Sequence, residues 1–241
     1  MIKKYALVTG GSRGIGAAIA IELAKNGYNI LLNYLSNDIA ANKVYKDIIK
    51  LNVQCKLLKF DVSNYDAVKN NLKNIIKDLQ IDIIVNNACN VQDIKFIDLK
   101  KEQWSSQIDT ILNGFFNITS MILPNMLKNN FGKIINISSI NAFAINGNVA
   151  YTAAKAGLVG ATKALAKELL NTNITVNTIV PGIIYTDNWN KYKTKEEIMQ
   201  MVKISRVGEP QDIANAVSFL ISEKANYITG QEIHVNGGMY M

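Results

Sequence analysis

Short apolar runs alternate with helical patterns along most of the chain. The runs YALV, YNILLNY and QCKLLKF are followed by IDIIVNN, GKIINIS and ITVNTIV. Strands separated by helices in this way form parallel sheets through right-handed crossovers, and their continuous apolar character is typical of strands covered on both faces. The pattern predicts an α/β fold built on a doubly wound parallel sheet. The helical patterns cover residues 14–27, 38–51, 66–79, 103–128 and 151–170.

One segment interrupts this rhythm. Residues 185–209 read YTDNWNKYKTKEEIMQMVKISRVGE, a polar stretch that predicts a loop with one or two short helices. Long connections between sheet elements are usually functional, and many close over a substrate. We expect residues 1–241 to form a single domain with a substrate lid at 185–209.

Composition narrows the range of partners. The chain has 241 residues, 49% of them hydrophobic, which is enough for a full core, and it contains no apolar run long enough for a membrane helix. No signal peptide is expected before the first strand, and the two cysteines suit a reducing, cytoplasmic setting. The net charge of +7 comes from lysines mixed with acids along helices. We therefore expect no nucleic-acid partner, no membrane partner and no metal.

The segment TGGSRGIG, Thr9–Gly16, lies between the first predicted strand and the first predicted helix. Gly10 permits a tight exit from the strand, Gly14 lets the backbone approach a pyrophosphate, and Gly16 allows close helix packing. The helix start then presents free N–H groups and a positive dipole end to phosphates. This context predicts nucleotide binding.

The end of the second strand, at Asn33 and Tyr34, carries no carboxylate for a ribose 2′-hydroxyl. Arg13 and the hydroxyl of Ser36 can instead meet a 2′-phosphate, because the arginine fork matches phosphate oxygens. The sequence favours NADP over NAD. The alternative is that Arg13 points into solvent.

Tyr151 and Lys155 are four positions apart in a helical pattern, so their side chains share one face. A nearby ammonium favours the phenolate, and we expect it to lower the pKa of the tyrosine toward the working range of a proton donor. Taken alone, the pair also fits an ordinary amphipathic helix. The rest of the chain has to distinguish these explanations.

Several motifs together resemble the short-chain dehydrogenases/reductases over essentially the whole chain, with closest similarity to the 3-oxoacyl-[acyl-carrier-protein] reductase group. The resemblance implies a Rossmann fold, a nicotinamide cofactor and a homotetramer built on the helices near 103–128 and 151–170. The motifs are TGGSRGIG, NNA at 86–88, GKIINISS at 132–139, YTAAK at 151–155, PGIIYT at 181–186 and YITGQEIHVNGG at 227–238.

The resemblance also implies a catalytic set of Ser139, Tyr151 and Lys155. Tyr151 would donate a proton to a carbonyl oxygen, Lys155 would tune that tyrosine and hold the nicotinamide ribose, and the serine would hydrogen-bond the carbonyl. The strand match selects Ser139, whereas the family's usual spacing to tyrosine selects Ser138. We prefer Ser139, because strand register is harder to shift than a loop.

The same resemblance implies the residues that hold the cofactor. Asp61 would approach the adenine, although an N-cap of the following helix explains it equally well. Asn86 would line the cofactor, and His234 lies in a predicted strand remote from these motifs. The full expected set is Thr9, Gly10, Ser12, Arg13, Gly14, Ile15, Gly16, Asn33, Tyr34, Ser36, Asp61, Val62, Asn87, Ala88, Tyr151, Lys155, Pro181, Gly182, Ile184 and Thr186.

Three departures from the family pattern bear on function. Ile111 replaces an asparagine that anchors a water relay to the lysine, and Cys89 replaces a glycine beside the cofactor. Asn129 and Thr172 stand where arginines dock an acyl carrier protein, with Lys128 nearby. We expect an NADP(H)-dependent enzyme that reduces a small-molecule or acyl-thioester carbonyl to an alcohol. The alternative is a cofactor-binding protein with little catalysis that acts in regulation or assembly.

Overall fold

A parallel β-sheet of seven strands, in the order β3-β2-β1-β4-β5-β6-β7, forms the centre of the fold. The computed structural model describes residues 4–145, 147–186, 194–202 and 205–241. The chain builds from β1 to one edge and then from β4 to the other, so the predicted doubly wound sheet is confirmed. The strands are β1 (Tyr5–Val8), β2 (Asn29–Tyr34), β3 (Cys55–Lys59), β4 (Ile81–Asn86), β5 (Gly132–Ile137), β6 (Ile174–Pro181) and β7 (Glu232–Val235).

Helices cover both faces of this sheet. Helices α1, α2 and α9 pack on one face, and α3, α6 and α7 pack on the other. The described elements also include three 3₁₀ turns, Phe96–Asp98, Ile140–Phe143 and Glu223–Ala225. The helices are α1 (Gly14–Lys25), α2 (Asp38–Ile49), α3 (Tyr65–Leu72), α4 (Ile75–Asp78), α5 (Lys101–Ile108), α6 (Gly114–Asn129), α7 (Val149–Glu168), α8 (Lys195–Val202) and α9 (Pro210–Ile221).

The central strands β2, β4, β5 and β6 are buried at every position. Most of their polar side chains are hydrogen-bonded, which limits the cost of desolvating them; the Thr175 hydroxyl and the Asn86 Oδ1 are the exceptions in these strands. Asn136 of β5 donates to the Thr162 hydroxyl on α7 at 2.7 Å, and Thr178 of β6 donates to the same hydroxyl at 2.9 Å. These bonds fix α7, the helix of Tyr151 and Lys155, against the sheet.

The long helix predicted near 103–128 is interrupted. A π-helical segment, Asp109–Asn113, separates α5 from α6. Polar side chains bond within the helix there: the Thr110 hydroxyl donates to the Ser106 carbonyl at 2.8 Å, and Asn113 donates to Asp109 at 2.6 Å. A hydroxyl bonded to a main-chain carbonyl, as in Thr110, can bend a helix, and π segments often mark functional sites.

Two other helices differ from expectation. The helix predicted at 66–79 is divided into α3 and α4 in an asparagine-rich run, where Asn71 donates to the Ala67 carbonyl at 2.8 Å. Helix α9 was not predicted, although Pro210 occupies its first turn and its buried residues have helical spacing. The sequence therefore contained two signals of this helix, the proline at its start and the spacing of its apolar residues.

Apolar side chains along α7 and directly after it pack inside the monomer. Leu158 and Leu169 are 2% and 5% exposed, so burial within the chain accounts for them. Ala156, Gly157 and Gly160 form an exposed small-residue face on the same helix. The homotetramer stays a prediction, and light scattering of the purified protein measures it.

The expected substrate lid is only partly described. Residues 187–193 and 203–204 lie outside the described residues, and α8 is the helix seen within 185–209. The base of the segment is held by a parallel bridge between Ile184 and Gly208. None of the helices in the described ranges combines the length and the hydropathy needed to cross a bilayer.

Candidate active site

The glycine turn after β1 reverses the chain where only residues without a side chain fit. Gly10 and Gly14 have φ values of +62° and +55°, which are strained for other residues. A Cβ on Gly16 would lie 2.3 Å from the Gly10 carbonyl oxygen, so α1 and the turn touch directly. Helix α1 follows an extended Arg13, and its first N–H groups have no partner within the helix. The turn has the form of a phosphate cradle.

A cleft of about 550 Å³ opens beside this turn, at the carboxyl ends of β1, β2, β3 and β4. Ligands of doubly wound sheets bind at this edge. The residues that line the cleft include some from the end of β2, from the π segment and from the chain after β6. The expected cofactor residues that line it are Gly10, Ser12, Arg13, Gly14, Ile15, Gly16, Asn33, Tyr34, Ser36, Asp61, Val62, Asn87, Ala88 and Thr186.

Thr9 does not line the cleft but positions residues that do. Its hydroxyl accepts hydrogen bonds from the backbone N–H groups of Asn87 and Ala88, at 2.9 and 3.0 Å. Asn87 in turn donates to the Thr9 carbonyl at 2.9 Å. Thr9 therefore joins the glycine turn to the end of β4.

Pro181, Gly182 and Ile184 also lie off the main cleft. Gly182 packs so closely on Asn236 that an added Cβ would lie 2.8 Å from the Asn236 Cα atom. Ile184 is buried and borders a separate cavity of about 160 Å³. In the protein by itself, these three residues form a wall after β6 and not a lining of the described cleft.

The end of β2 lacks a free carboxylate, as the sequence predicted. Asn33 is buried and donates to the carbonyl oxygens of Leu58 and Phe60, so it ties β2 to β3. Asp38, the first acidic residue after β2, accepts a hydrogen bond from the Tyr34 hydroxyl at 2.8 Å and forms an ion pair with Lys59 at 2.6 Å. Asp38 is absent from the cleft lining, whereas Arg13 and Ser36 belong to it.

Asp61 lines the cleft and is not the cap of the following helix. Its carboxylate accepts from the backbone and hydroxyl of Ser63, at 2.8 and 2.7 Å. The N-cap of α3 is Asn64, which accepts from the Ala67 N–H. The N-cap alternative for Asp61 is therefore wrong.

Asn86 was expected to line the cofactor, and the structure places it elsewhere. Its side chain is buried behind β4 and donates to Asn136 at 2.8 Å and to Thr119 at 3.3 Å. Successive residues of a strand point to opposite faces. Asn87, one residue on, reaches the cleft instead.

Ser139, Tyr151 and Lys155 come together close to Cys89 of the cleft, although none of the three lines the cleft itself. The Ser139 hydroxyl hydrogen-bonds with the Tyr151 phenol, and the Lys155 ammonium lies 5.6 Å from the centroid of the tyrosine ring. Lys155 donates to the Ile137 carbonyl at 2.6 Å, which fixes its direction. Tyr151 and Lys155 are 9% and 2% exposed, so both polar groups work in a largely dry environment.

Burial controls the titration of this cluster. It raises the pKa of Tyr151, with a smaller contribution from nearby Cys89, while the hydrogen bond from Ser139 acts in the opposite direction. The expected lowering of this pKa by Lys155 is wrong for the protein by itself, because burial raises the pKa and Lys155 is not among the groups that shift it. Burial also lowers the pKa of Lys155. Tyr151 consequently keeps its proton through the neutral range, which is the form that a proton donor needs.

The two candidate serines have different surroundings. Ser138 is buried and donates to the Lys155 carbonyl at 3.1 Å, so its hydroxyl is used within the protein. Ser139 accepts from the Asn141 N–H at 3.2 Å and contacts the Tyr151 phenol. The geometry therefore favours Ser139 as the serine of the site.

Both unusual residues border this cluster. Ile111, in the π segment, is 3% exposed and packs with Tyr151, Ala154 and Leu158. Cys89 is exposed and lines the cleft. An apolar side chain thus occupies the position at which the family resemblance implies an amide.

The cleft also contains polar residues that sequence reasoning missed. Ser106, Asp109 and Thr110 line it from α5 and the π segment, and Asn90 joins it through a hydrogen bond to Ser106 at 2.8 Å. Three polar residues at positions i, i+3 and i+4 of a helix share one face. That spacing was the available signal. The other lining residues not foreseen are Leu35, Asn37, Phe60 and Ser63.

Known proteins resemble this chain along its full length. A family model described as enoyl-(acyl carrier protein) reductase matches residues 10–240. A 3-oxoacyl-[acyl-carrier-protein] reductase FabG of Staphylococcus epidermidis is 42% identical over 244 residues, covering 100% of both chains. The Staphylococcus aureus FabG is 42% identical over 99% of this chain and 98% of its own. An acetoacetyl-CoA reductase of Shinella zoogloeoides is 42% identical over 99% of each chain.

Proposed function

Because this chain belongs to the short-chain dehydrogenase/reductase family, we propose that it reduces 3-oxoacyl thioesters to 3-hydroxyacyl thioesters with hydride from NADPH. It is an oxidoreductase that acts on a carbonyl and uses a nicotinamide cofactor. The observation that carries the finer proposal is the hydrogen bond between Ser139 and the buried phenol of Tyr151. Lys155 lies alongside this pair, close to a cleft of the size of a dinucleotide.

The residues of the cleft fit a dinucleotide. The backbone of the glycine turn can approach phosphates because Gly10, Gly14 and Gly16 have no side chains, and α1 begins directly behind them. Arg13 and Ser36 would hold a 2′-phosphate at the end of β2, where Asp38 is already paired. This arrangement supports NADPH over NADH.

The mechanism follows from the protonation states of the site. NADPH, when bound, supplies the hydride that becomes attached to the carbonyl carbon. Tyr151 gives its proton to the carbonyl oxygen, and Ser139 donates a hydrogen bond to that oxygen as negative charge develops there. The C=O double bond becomes a C–O single bond, and the product is the 3-hydroxyacyl thioester.

Lys155 stabilises the phenolate that proton transfer leaves on Tyr151. Once Tyr151 has lost its proton, a phenolate remains in a buried site, where charge is costly without a partner. The ammonium, oriented by the Ile137 carbonyl, is the cation within reach of it in the described structure. The stabilisation that Lys155 provides is therefore largest after the proton has left Tyr151.

The thioester assignment rests on the relatives. The names of two of them specify acyl carrier protein and that of a third specifies CoA, at equal identity. In this chain Asn129 and Thr172 stand where the family resemblance implies carrier-docking arginines. The reacting 3-oxoacyl group is common to both carriers, so carrier preference is a matter for experiment.

The direct test measures NADPH oxidation with a 3-oxoacyl group carried on acyl carrier protein, on CoA or on N-acetylcysteamine, with simple ketones alongside. We expect the thioesters to be reduced faster than the ketones, and comparison of the three carriers separates protein docking from recognition of the acyl group. Tight NADPH binding without turnover of any compound would support the alternative, a cofactor-binding protein.

Replacing Gly16 with alanine is expected to raise the Kd of NADPH roughly 10- to 100-fold, because overpacking of this kind costs about 1–3 kcal/mol. The new Cβ would lie 2.3 Å from a backbone oxygen, which cannot move away as a side chain can. Titration of protein fluorescence with NADPH measures the change. Gly160→Ala is the matched control, because nothing lies within 4 Å of its added Cβ, and it should leave Kd unaltered.

Replacing Arg13 with alanine is expected to weaken NADPH binding roughly 10- to 100-fold, the equivalent of about 1.5–3 kcal/mol for hydrogen bonds to a charged group. NADH, which lacks the 2′-phosphate, should bind nearly as before and serves as the internal control. An equal loss of affinity for NADPH and NADH would show that Arg13 does not bind the 2′-phosphate. Lys43→Ala, an exposed site on α2, controls for the lost positive charge.

A further inference from the structure

His234 is not isolated from the active-site motifs, contrary to expectation. It lies in β7 and packs with Phe143 at a ring-centroid distance of 5.4 Å. Tyr240 stacks on Phe143 at 4.6 Å with an interplanar angle of 13°, and lies 5.5 Å from His234. These are favourable separations for aromatic pairs. We refer to Phe143, His234 and Tyr240 as the aromatic clasp.

A specific turn delivers Tyr240 to the clasp. Gly237 and Gly238 have φ values of +64° and +82°, which reverse the chain after β7. The Asn236 side chain donates to the Tyr240 carbonyl at 2.8 Å and accepts from the Gly238 N–H at 2.9 Å. The position of the tyrosine ring is therefore fixed through the backbone that carries it.

At its other end the clasp holds the turn that begins at Ser139. The 3₁₀ turn Ile140–Phe143 is capped by the Ser139 hydroxyl and ends at Ala144, which has a left-handed φ of +59°. An alanine seldom adopts that conformation without support from its surroundings. His234 and Tyr240 supply such support from outside the turn, by packing on Phe143.

We propose that Tyr240 is a positioning residue for Ser139, acting through Phe143 and the turn Ile140–Phe143. This inference rests on the proposed function, since Ser139 must hydrogen-bond the reacting carbonyl for its position to matter. Catalytic groups lose effect steeply when displaced. A clasp that fixes Phe143 limits the displacement of the hydroxyl four residues earlier in the chain.

The test compares Tyr240→Ala with Tyr240→Phe. The alanine variant should lose roughly 10- to 100-fold in kcat for thioester reduction, with the Kd of NADPH and the melting temperature close to wild type. Phenylalanine keeps the ring and should restore the rate. Tyr227→Ala is the matched control, because Tyr227 is fully exposed in the same part of the chain; it should not change kcat.

A double-mutant cycle separates positioning from a general structural effect. If Tyr240 acts through Ser139, adding Tyr240→Ala to Ser139→Ala should cause no further fall in the single-turnover rate. Fully additive losses, or a Tyr240→Ala enzyme with wild-type kcat, would overturn the proposal. Failure of the proposed function has a different signature, since wild-type protein would then reduce no thioester and Ser139→Ala would change nothing.

Discussion

Changing Tyr151 to phenylalanine is expected to lower kcat for carbonyl reduction by roughly 10²- to 10⁴-fold, the usual contribution of a general acid. The variant keeps the aromatic ring that packs on Ile111, Ala154 and Leu158, so the fold and the Kd of NADPH should be preserved. What is lost is the proton that burial retains on the phenol. Single-turnover oxidation of bound NADPH, together with a cofactor titration, measures both quantities.

A second buried tyrosine provides the control. Tyr5 is 7% exposed, and its hydroxyl donates to Gln54 at 2.7 Å, at the opposite end of β1 from the glycine turn. Tyr5→Phe also deletes a hydrogen-bonded phenol, and it should alter stability slightly without altering kcat. Wild-type turnover by Tyr151→Phe would mean that another group supplies the proton.

Changing Ser139 to alanine is expected to lower kcat by roughly 10²- to 10³-fold, as loss of one donor to a developing oxyanion does. The hydroxyl of Ser139 hydrogen-bonds with the Tyr151 phenol and is therefore beside the group that gives the proton. The Kd of NADPH should not change. The same single-turnover assay applies, because it isolates the chemical step from product release.

The adjacent serine is the appropriate comparison. Ser138→Ala removes a hydrogen bond to the Lys155 carbonyl, a main-chain contact that supports α7. Its effect on kcat should be much smaller than that of Ser139→Ala and should be accompanied by a lower melting temperature. The reverse ranking of the two variants would identify Ser138 as the residue that contacts substrate.

The π segment shows where sequence reasoning stopped short. The periodicity of residues 103–128 predicted one helix, and the family resemblance aligned Ile111 with an asparagine, but neither indicates a local change in helical hydrogen bonding. A π-helical segment, in which Thr110 and Asn113 bond to residues four positions earlier, divides that helix. The division places Asp109 and Thr110 on the cleft and Ile111 against Tyr151.

Asp61 and His234 illustrate two further limits. For Asp61 the sequence left two roles open, and the choice depended on which neighbour capped α3. The residues next to His234 in the sequence did not indicate a role for it, and its aromatic partner Phe143 is remote in sequence. In both cases the deciding contact could not be read from local spacing.

The sequence by itself determined the alternation of strands and helices from β1 to β6, the glycine turn at Thr9–Gly16 and the shared helical face of Tyr151 and Lys155. Those features depend on residue spacing within one element or one turn, and local periodicity describes such spacing. Tertiary structure decided which serine meets Tyr151, the direction in which the tyrosine pKa moves, and the aromatic clasp. These depend on burial and on contacts between distant parts of the chain, which exist only once the sheet has assembled.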